Sequence, residues 1–102
     1  MILARVEGNV VATKKNSKMT GSKLLLVRPV IISAADDKEL KSGSSTLIAT
    51  DALGAGEGDL VLVVQGSSAR LAAEDKDSPV DAVVIGIVDT IDLQRKQLYK
   101  AK

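Results

Sequence analysis

With 102 residues, 26% of them charged and a net charge of +1, the chain is sized for one domain and carries no surplus of charge that would mark a nucleic-acid or acidic-lipid partner. It has no cysteine and no histidine, which excludes disulfides, thiol chemistry, zinc sites of the usual type and imidazole acid–base catalysis. Hydrophobic residues make up 45% of the chain but Tyr99 is the one aromatic, so aliphatic side chains must fill the core, as suits a narrow barrel.

The first element is a strand. Ile2, Ala4, Val6, Gly8, Val10 and Ala12 fall on one face and Arg5, Glu7, Asn9 and Thr13 on the other. Gly8 in its middle allows the bend or bulge that a closing barrel needs. Arg5 and Glu7 also break the apolar start, so no signal peptide is expected, and no run approaches the ~20 apolar residues of a membrane span. The lack of cysteine is compatible with a cytoplasmic protein. Lys14–Ser22 reads as a polar hairpin turn; a phosphate-binding loop would need a glycine spacing that it lacks. A second strand runs from Leu24 to Arg28, with Pro29 expected to end it or hold it at an edge. Ser33–Thr46 is polar and reads as a surface excursion, and Leu47–Thr50 is a short strand.

Asp51 to Arg70 is the most informative stretch. Gly54, Gly56 and Gly58 make a low-profile loop where φ can turn positive and backbones can approach closely. The run Leu60–Val64 is a strand with two apolar faces, Leu60, Leu62 and Val64 on one and Val61 and Val63 on the other. Something must cover the second face, and a neighbouring subunit is the simplest candidate. Gly66 breaks the strand, and Ser67 or Ser68 can cap a short helix carrying Arg70. After a charged turn at Glu74–Pro79, Ala82–Ile91 forms the last long strand. It sets Val83, Ile85, Ile87 and Ile91 on one face, with Ala82, Val84, Gly86 and Val88 on the other. The acidic turn lacks the glycine and closing glutamate of a calcium loop. Residues 1–92 therefore form one domain, and 93–102 a basic, loosely held C-terminal tail. The fold class is all-β, a small five-stranded barrel with one short helix.

In order along the chain, these stretches resemble a known family. Gly54-Ala55-Gly56-x-Gly58-Asp59-x-Val61-Leu62-Val63-x-x-Gly66-Ser67-Ser68-Ala69-Arg70 is similar to the signature of the vertex proteins of bacterial microcompartments. These are the pentameric shell proteins of carboxysomes and of ethanolamine- and propanediol-utilisation compartments. Ala4-Arg5-Val6-x-Gly8-x-Val10-Val11 resembles the family's first strand, Gly21-x-Lys23-Leu24-Leu25-Leu26-Val27 its second, and Val80-Asp81-Ala82-x-Val84-x-Gly86-Ile87-Val88-Asp89-Thr90 its last. The resemblance implies a barrel of the oligonucleotide/oligosaccharide-binding (OB) type, with the helical turn before the last strand instead of after the third. It also implies a cyclic homo-oligomer of five copies that seals the vertices of a cytoplasmic shell made mostly of hexameric shell proteins. No cofactor, metal, nucleic acid or membrane enters that role. Beside this signature, Gly54, Ala55, Gly56, Gly58, Ser67, Ser68 and Arg70 are the candidate subunit-interface or pore-loop residues. Arg70 would supply an intersubunit ion pair or a fork onto backbone carbonyls, as its planar donors allow.

Two other functions compete. A small barrel can bind single-stranded nucleic acid, but it then stacks bases on aromatics in a positive groove, and Tyr99 lies in the tail. A gel shift at low salt separates the two. An enzyme would draw on Asp51, Asp59, Asp81 and Asp89 with Lys23 or Arg70. Acids beside glycine turns and strand ends more often cap or pair, so no enzyme is expected. The glycine cluster also fails as a dinucleotide fingerprint, since Asp59 stands at its third glycine and a strand follows where a helix is needed.

Overall fold

The computed structural model describes residues 1–12, 23–33, 39–72 and 80–102, without the side chains of Ser68 and Arg70. The turns at Lys14–Ser22 and Glu74–Pro79, and positions 34–38 of the polar excursion, lie outside the described residues. The elements are β1 (Ile2–Val10), β2 (Lys23–Ile32), β3 (Leu40–Ser42), β4 (Leu47–Asp51), β5 (Leu60–Gln65), α1 (Ser67–Ala72), β6 (Ala82–Ile87), β7 (Thr90–Leu93) and β8 (Lys96–Lys100).

Five strands close a barrel. β1 lies between β2 and β5, β5 pairs with β6, and β2 pairs with β4, all antiparallel; β6 runs parallel beside β4 and completes the ring. This is the small five-stranded barrel that the strand pattern predicts, of the OB type that the family resemblance implies, with α1 before the last barrel strand. Alternation turns Ala4, Val6, Leu25, Val27, Ala49, Val61, Val63, Ala82 and Val84 inward, and Ala55 joins them from a loop. Four of these ten are alanine, so the interior is narrow enough to fill without a ring system.

Two bulges re-aim the strands. Val6 pairs with Val27 and Gly8 with Leu26, so Glu7 is the extra residue of β1, next to the glycine expected to permit a bulge. Past it, Gly8 and Val10 stand opposite Leu26 and Leu24 on the outer face, so the predicted inward stripe holds only as far as Val6. In β6, Val63 pairs with Val84 and Leu62 with Gly86, which leaves Ile85 extra. The predicted alignment of Val83 with Ile87 is therefore broken, and Ile87 falls opposite Val61. Gly86 is used for space: a methyl group there would sit 3.3 Å from Leu62 Cδ1.

Pro29 neither ends β2 nor sits at its tip. β2 pairs with β4 up to Val27 and with β3 from Val30, so Pro29 occupies the gap where one edge of β2 changes neighbours. No ladder amide is needed there, and its carbonyl accepts the Gly43 amide at 2.8 Å. Part of the predicted surface excursion is thus the short strand β3.

The second face of β5 is covered largely by the chain itself, not left to a neighbour. Val64 packs with Val83, Val80 and Ala69 under α1, and Leu60 is fully buried. Gly66 precedes the first helical residue, where the sequence suggested Ser67 or Ser68.

The segment read as a tail forms β8 and completes a hairpin with β7. Its two-residue turn puts Gln94 at φ 49° and Arg95 at φ 69°, the left-handed pair of a type I′ turn, for which Asn-Gly is the favoured sequence. Replacing Gln94 with Asn and Arg95 with Gly should stabilise the hairpin by about 1 kcal/mol and slow its amide exchange about fivefold. Unchanged or faster exchange at Ile91 and Tyr99 would contradict this.

Candidate functional site

The candidate site is built on the loop joining β4 to β5. Asp51, the last residue of β4, is 6% exposed. Its Oδ1 accepts the Leu53 amide at 2.9 Å and its Oδ2 the Ala55 amide at 2.7 Å. A carboxylate gripping two amides bends the chain back, and this seats the Ala55 methyl group in the barrel core. Lys23, opposite Asp51 on β2, donates from Nζ to the Ala55 carbonyl at 2.6 Å. Asp59 folds the second half in the same manner. Its Oδ2 accepts the Gly56 amide at 2.9 Å while its own amide donates to the Gly56 carbonyl at 3.0 Å.

β1 fastens the far end of the loop. The Gly58 amide donates to the Val6 carbonyl at 2.8 Å and the Val6 amide to the Asp59 carbonyl at 2.9 Å. Arg5 Nη1 adds a longer bond, 3.3 Å, to the Gly58 carbonyl. The loop is therefore a lip fixed to the barrel end by two carboxylates and two cations. Lys23 and Arg5 were not singled out for it in the sequence, although the strand register could have placed Lys23 beside Asp51.

The three glycines differ in their reasons. Gly54 and Gly58 have φ of 88° and 90°, which a side chain would strain. Gly56 has no positive φ, contrary to the expectation for the cluster, and a methyl group there would meet nothing nearer than Asp59 Oδ2 at 3.9 Å. Among the described residues, nothing accounts for a glycine at 56.

The candidate residues fall into two groups. Gly54, Ala55, Gly56 and Gly58 precede β5, whereas Ser67, Ser68 and Arg70 follow it on α1. Six strand residues at ~3.3 Å each separate them by roughly 20 Å. Ser67 is exposed; the side chains of Ser68 and Arg70 are outside the described set. Asp51 and Asp59 hold loop amides, while the Asp81 and Asp89 carbonyls accept the Gly66 and Ala101 amides at 2.8 Å. Among the described residues no three acids stand close enough to hold a metal ion, and no helix is long and apolar enough to cross a membrane. Tyr99 lies on β8, off the barrel.

Comparison with known proteins agrees with this architecture. The family model described as "Ethanolamine utilisation protein EutN/carboxysome" matches residues 1–89. The microcompartment shell vertex protein PduN of Salmonella typhimurium is 46% identical over 91 residues, covering 89% of this chain and 98% of PduN. GrpN of Rhodospirillum rubrum, also a shell vertex protein, is 42% identical over 92 residues, with 90% and 97% covered. Its solved structure, that of a pentameric microcompartment shell protein, matches with a TM-score of 0.75 and 40% identity over 91% of this chain and 98% of GrpN. The carboxysome shell vertex protein CcmL of Gloeobacter violaceus is 38% identical over 102 residues, with 100% and 96% covered, and its structure matches with a TM-score of 0.85, at 37% identity over 98% and 97%. A family match over most of the chain, a shared barrel and relatives aligned along nearly their whole length lead to one conclusion: this chain belongs to the EutN/carboxysome family of bacterial microcompartment shell vertex proteins.

Proposed function

We propose that five copies of this chain form a ring that seals a fivefold vertex of a cytoplasmic microcompartment shell, whose facets are hexameric shell proteins. The supporting observation is the likeness, along almost the whole of both chains, to proteins named as shell vertex proteins, one of them pentameric. The role is geometric: a sheet of hexagons is flat and closes only where fivefold units are inserted. It calls for no catalysis, cofactor or nucleic acid. Head-to-tail closure presents one surface of each copy to a different surface of the next. Native mass spectrometry tests the ring. Five times the 10.6 kDa chain gives an expected mass of about 53 kDa, and a stable monomer at micromolar concentration contradicts it.

In this reading the lip formed by Gly54, Ala55, Gly56 and Gly58 meets the neighbouring copy or the ring axis. Ser67, Ser68 and Arg70 contact a neighbour at the other end of β5. Gly56 is the informative position, since among the described residues a methyl group there would meet only Asp59 Oδ2 at an ordinary contact distance of 3.9 Å, and its φ is not positive. Gly56→Val should leave the fold within about 1 kcal/mol of the parent, yet reduce ring yield about tenfold or more. Gly58→Val should instead destabilise the fold directly, because its φ is positive. Wild-type ring yield from Gly56→Val would remove the lip from the interface.

A further inference from the structure

Two arginines stand opposite each other across the β1–β2 ladder, Arg5 paired with Arg28. Ala4, Val6 and Val27 turn into the core, so alternation sends both arginines to the outer face. Directly opposed residues have Cβ atoms about 5 Å apart, and like charges placed in this way destabilise a sheet. One carboxylate answers the pair. Glu7, the extra residue of the β1 bulge, accepts from Arg28 Nε through Oε2 at 2.9 Å, and the two side chains stay 36% and 29% exposed. Among the described residues Arg5 has no carboxylate within ion-pair distance, and its contact is the bond from Nη1 to the Gly58 carbonyl. The spot therefore holds two positive charges and one negative.

Backbone carbonyls anchor both guanidinium groups. Arg28 Nη1 donates to the Gly43 carbonyl at 3.1 Å, and the Gly43 amide is itself fixed to Pro29. Arg5 is anchored on Gly58, whose amide is fixed to Val6. Neither anchor uses Nη2, which has no acceptor on either arginine among the described residues. A planar group held along one edge offers its remaining donors in a set direction. The surface beside the pair is open as well. Among the described residues a methyl group at Gly8, next to Glu7, would meet nothing within 4 Å.

We infer that Arg5 and Arg28 form a binding site for a small tetrahedral oxyanion of the phosphate class, on the outer face of the barrel between β1 and β2. A carboxylate has two oxygens in one plane and is satisfied by a single guanidinium fork. A tetrahedral oxyanion can turn oxygens to two forks at once. Charge points the same way, since the anion offsets the surplus that Glu7 leaves. Glu7 holds the affinity down, because it repels the same anion and already occupies Arg28 Nε. The site lies within one chain and does not require the ring, although Gly58 connects it to the lip.

Phosphorus NMR of inorganic phosphate titrated with the full chain, at constant ionic strength in chloride, tests the site. One saturable site per chain is expected, with Kd on the order of 1 mM. Arg5→Lys keeps the charge but loses the fork and should weaken binding about tenfold, while Arg5→Gln should abolish it. Glu7→Gln should act in the opposite direction and tighten binding about threefold or more, a gain that a merely structural Glu7 would not produce. Sulfate should displace phosphate at about a tenth of the acetate concentration. Phosphate should also raise the thermal midpoint of the parent above its value in chloride, and leave that of Arg5→Gln unchanged. Amide spectra check each fold, and Arg5→Lys carries the comparison if Arg5→Gln does not fold. A folded parent with no saturable site overturns the inference. Undiminished affinity in Arg5→Lys and Arg5→Gln, or weaker binding by Glu7→Gln, does the same. Acetate competing as well as sulfate would also overturn it, by showing a site for a planar carboxylate.

Discussion

Replacing Asp51 with alanine should lower the melting temperature by about 10–20 °C, a large loss for one buried carboxylate. The carboxylate is the acceptor for both the Leu53 and Ala55 amides, and the Ala55 amide is buried. Removing it leaves two donors unsatisfied at about 1–3 kcal/mol each. It also frees the Ala55 methyl group from the end of the barrel and the carbonyl that receives Lys23. Asp51→Asn keeps one acceptor but turns an N–H₂ toward the other amide, so its loss should be about half as large. Thermal unfolding at one fixed protein concentration measures both, since association shifts the apparent midpoint. An alanine variant melting within about 2 °C of the parent would contradict this account of the loop.

The second large effect is on shell closure. In cells that build the compartment but lack this protein and any paralogue, the hexameric tiles should give tubes, sheets or polyhedra open at their corners. Binding per contact need not be strong, because a ring meets several tiles at once and the contacts reinforce one another. Supplying the chain from a plasmid should restore closed particles, and the Gly56→Val variant should restore them poorly. Neither a catalyst nor a nucleic-acid binder would change the number of closed shells. Closed polyhedra at wild-type frequency without the protein would refute the vertex role.

The first barrel strand was legible from alternation of apolar and polar residues, and the others as short apolar runs, rich in β-branched residues in β5 and β6, bounded by polar or glycine-containing turns. The bulges were only half legible. Gly8 announced one, yet the extra residue is Glu7, and its effect is to turn Val10 outward; nothing at Ile85 announced the other. The cover on β5 was missed because it comes from small residues, Ala69 of α1 and Val80, which carry little signal by themselves. The β7–β8 hairpin was missed for a different reason. Its turn is Gln94-Arg95, and neither is a residue that ordinarily marks left-handed backbone. Pro29 misled because its cost depends on which neighbour β2 has at that point, a tertiary fact. The glycine loop was recognised as a tight turn, but its construction by Asp51 and Asp59 rests on side-chain reach across two, three and four residues and on Lys23 from another strand.

The most direct test of the vertex role is an electron cryomicroscopy reconstruction of shells made by co-expressing this chain with a cognate hexameric shell protein. The account predicts that each fivefold position is filled by five copies of the barrel, with the facets free of it. Corners filled by another protein, or this chain found within the facets, would contradict it.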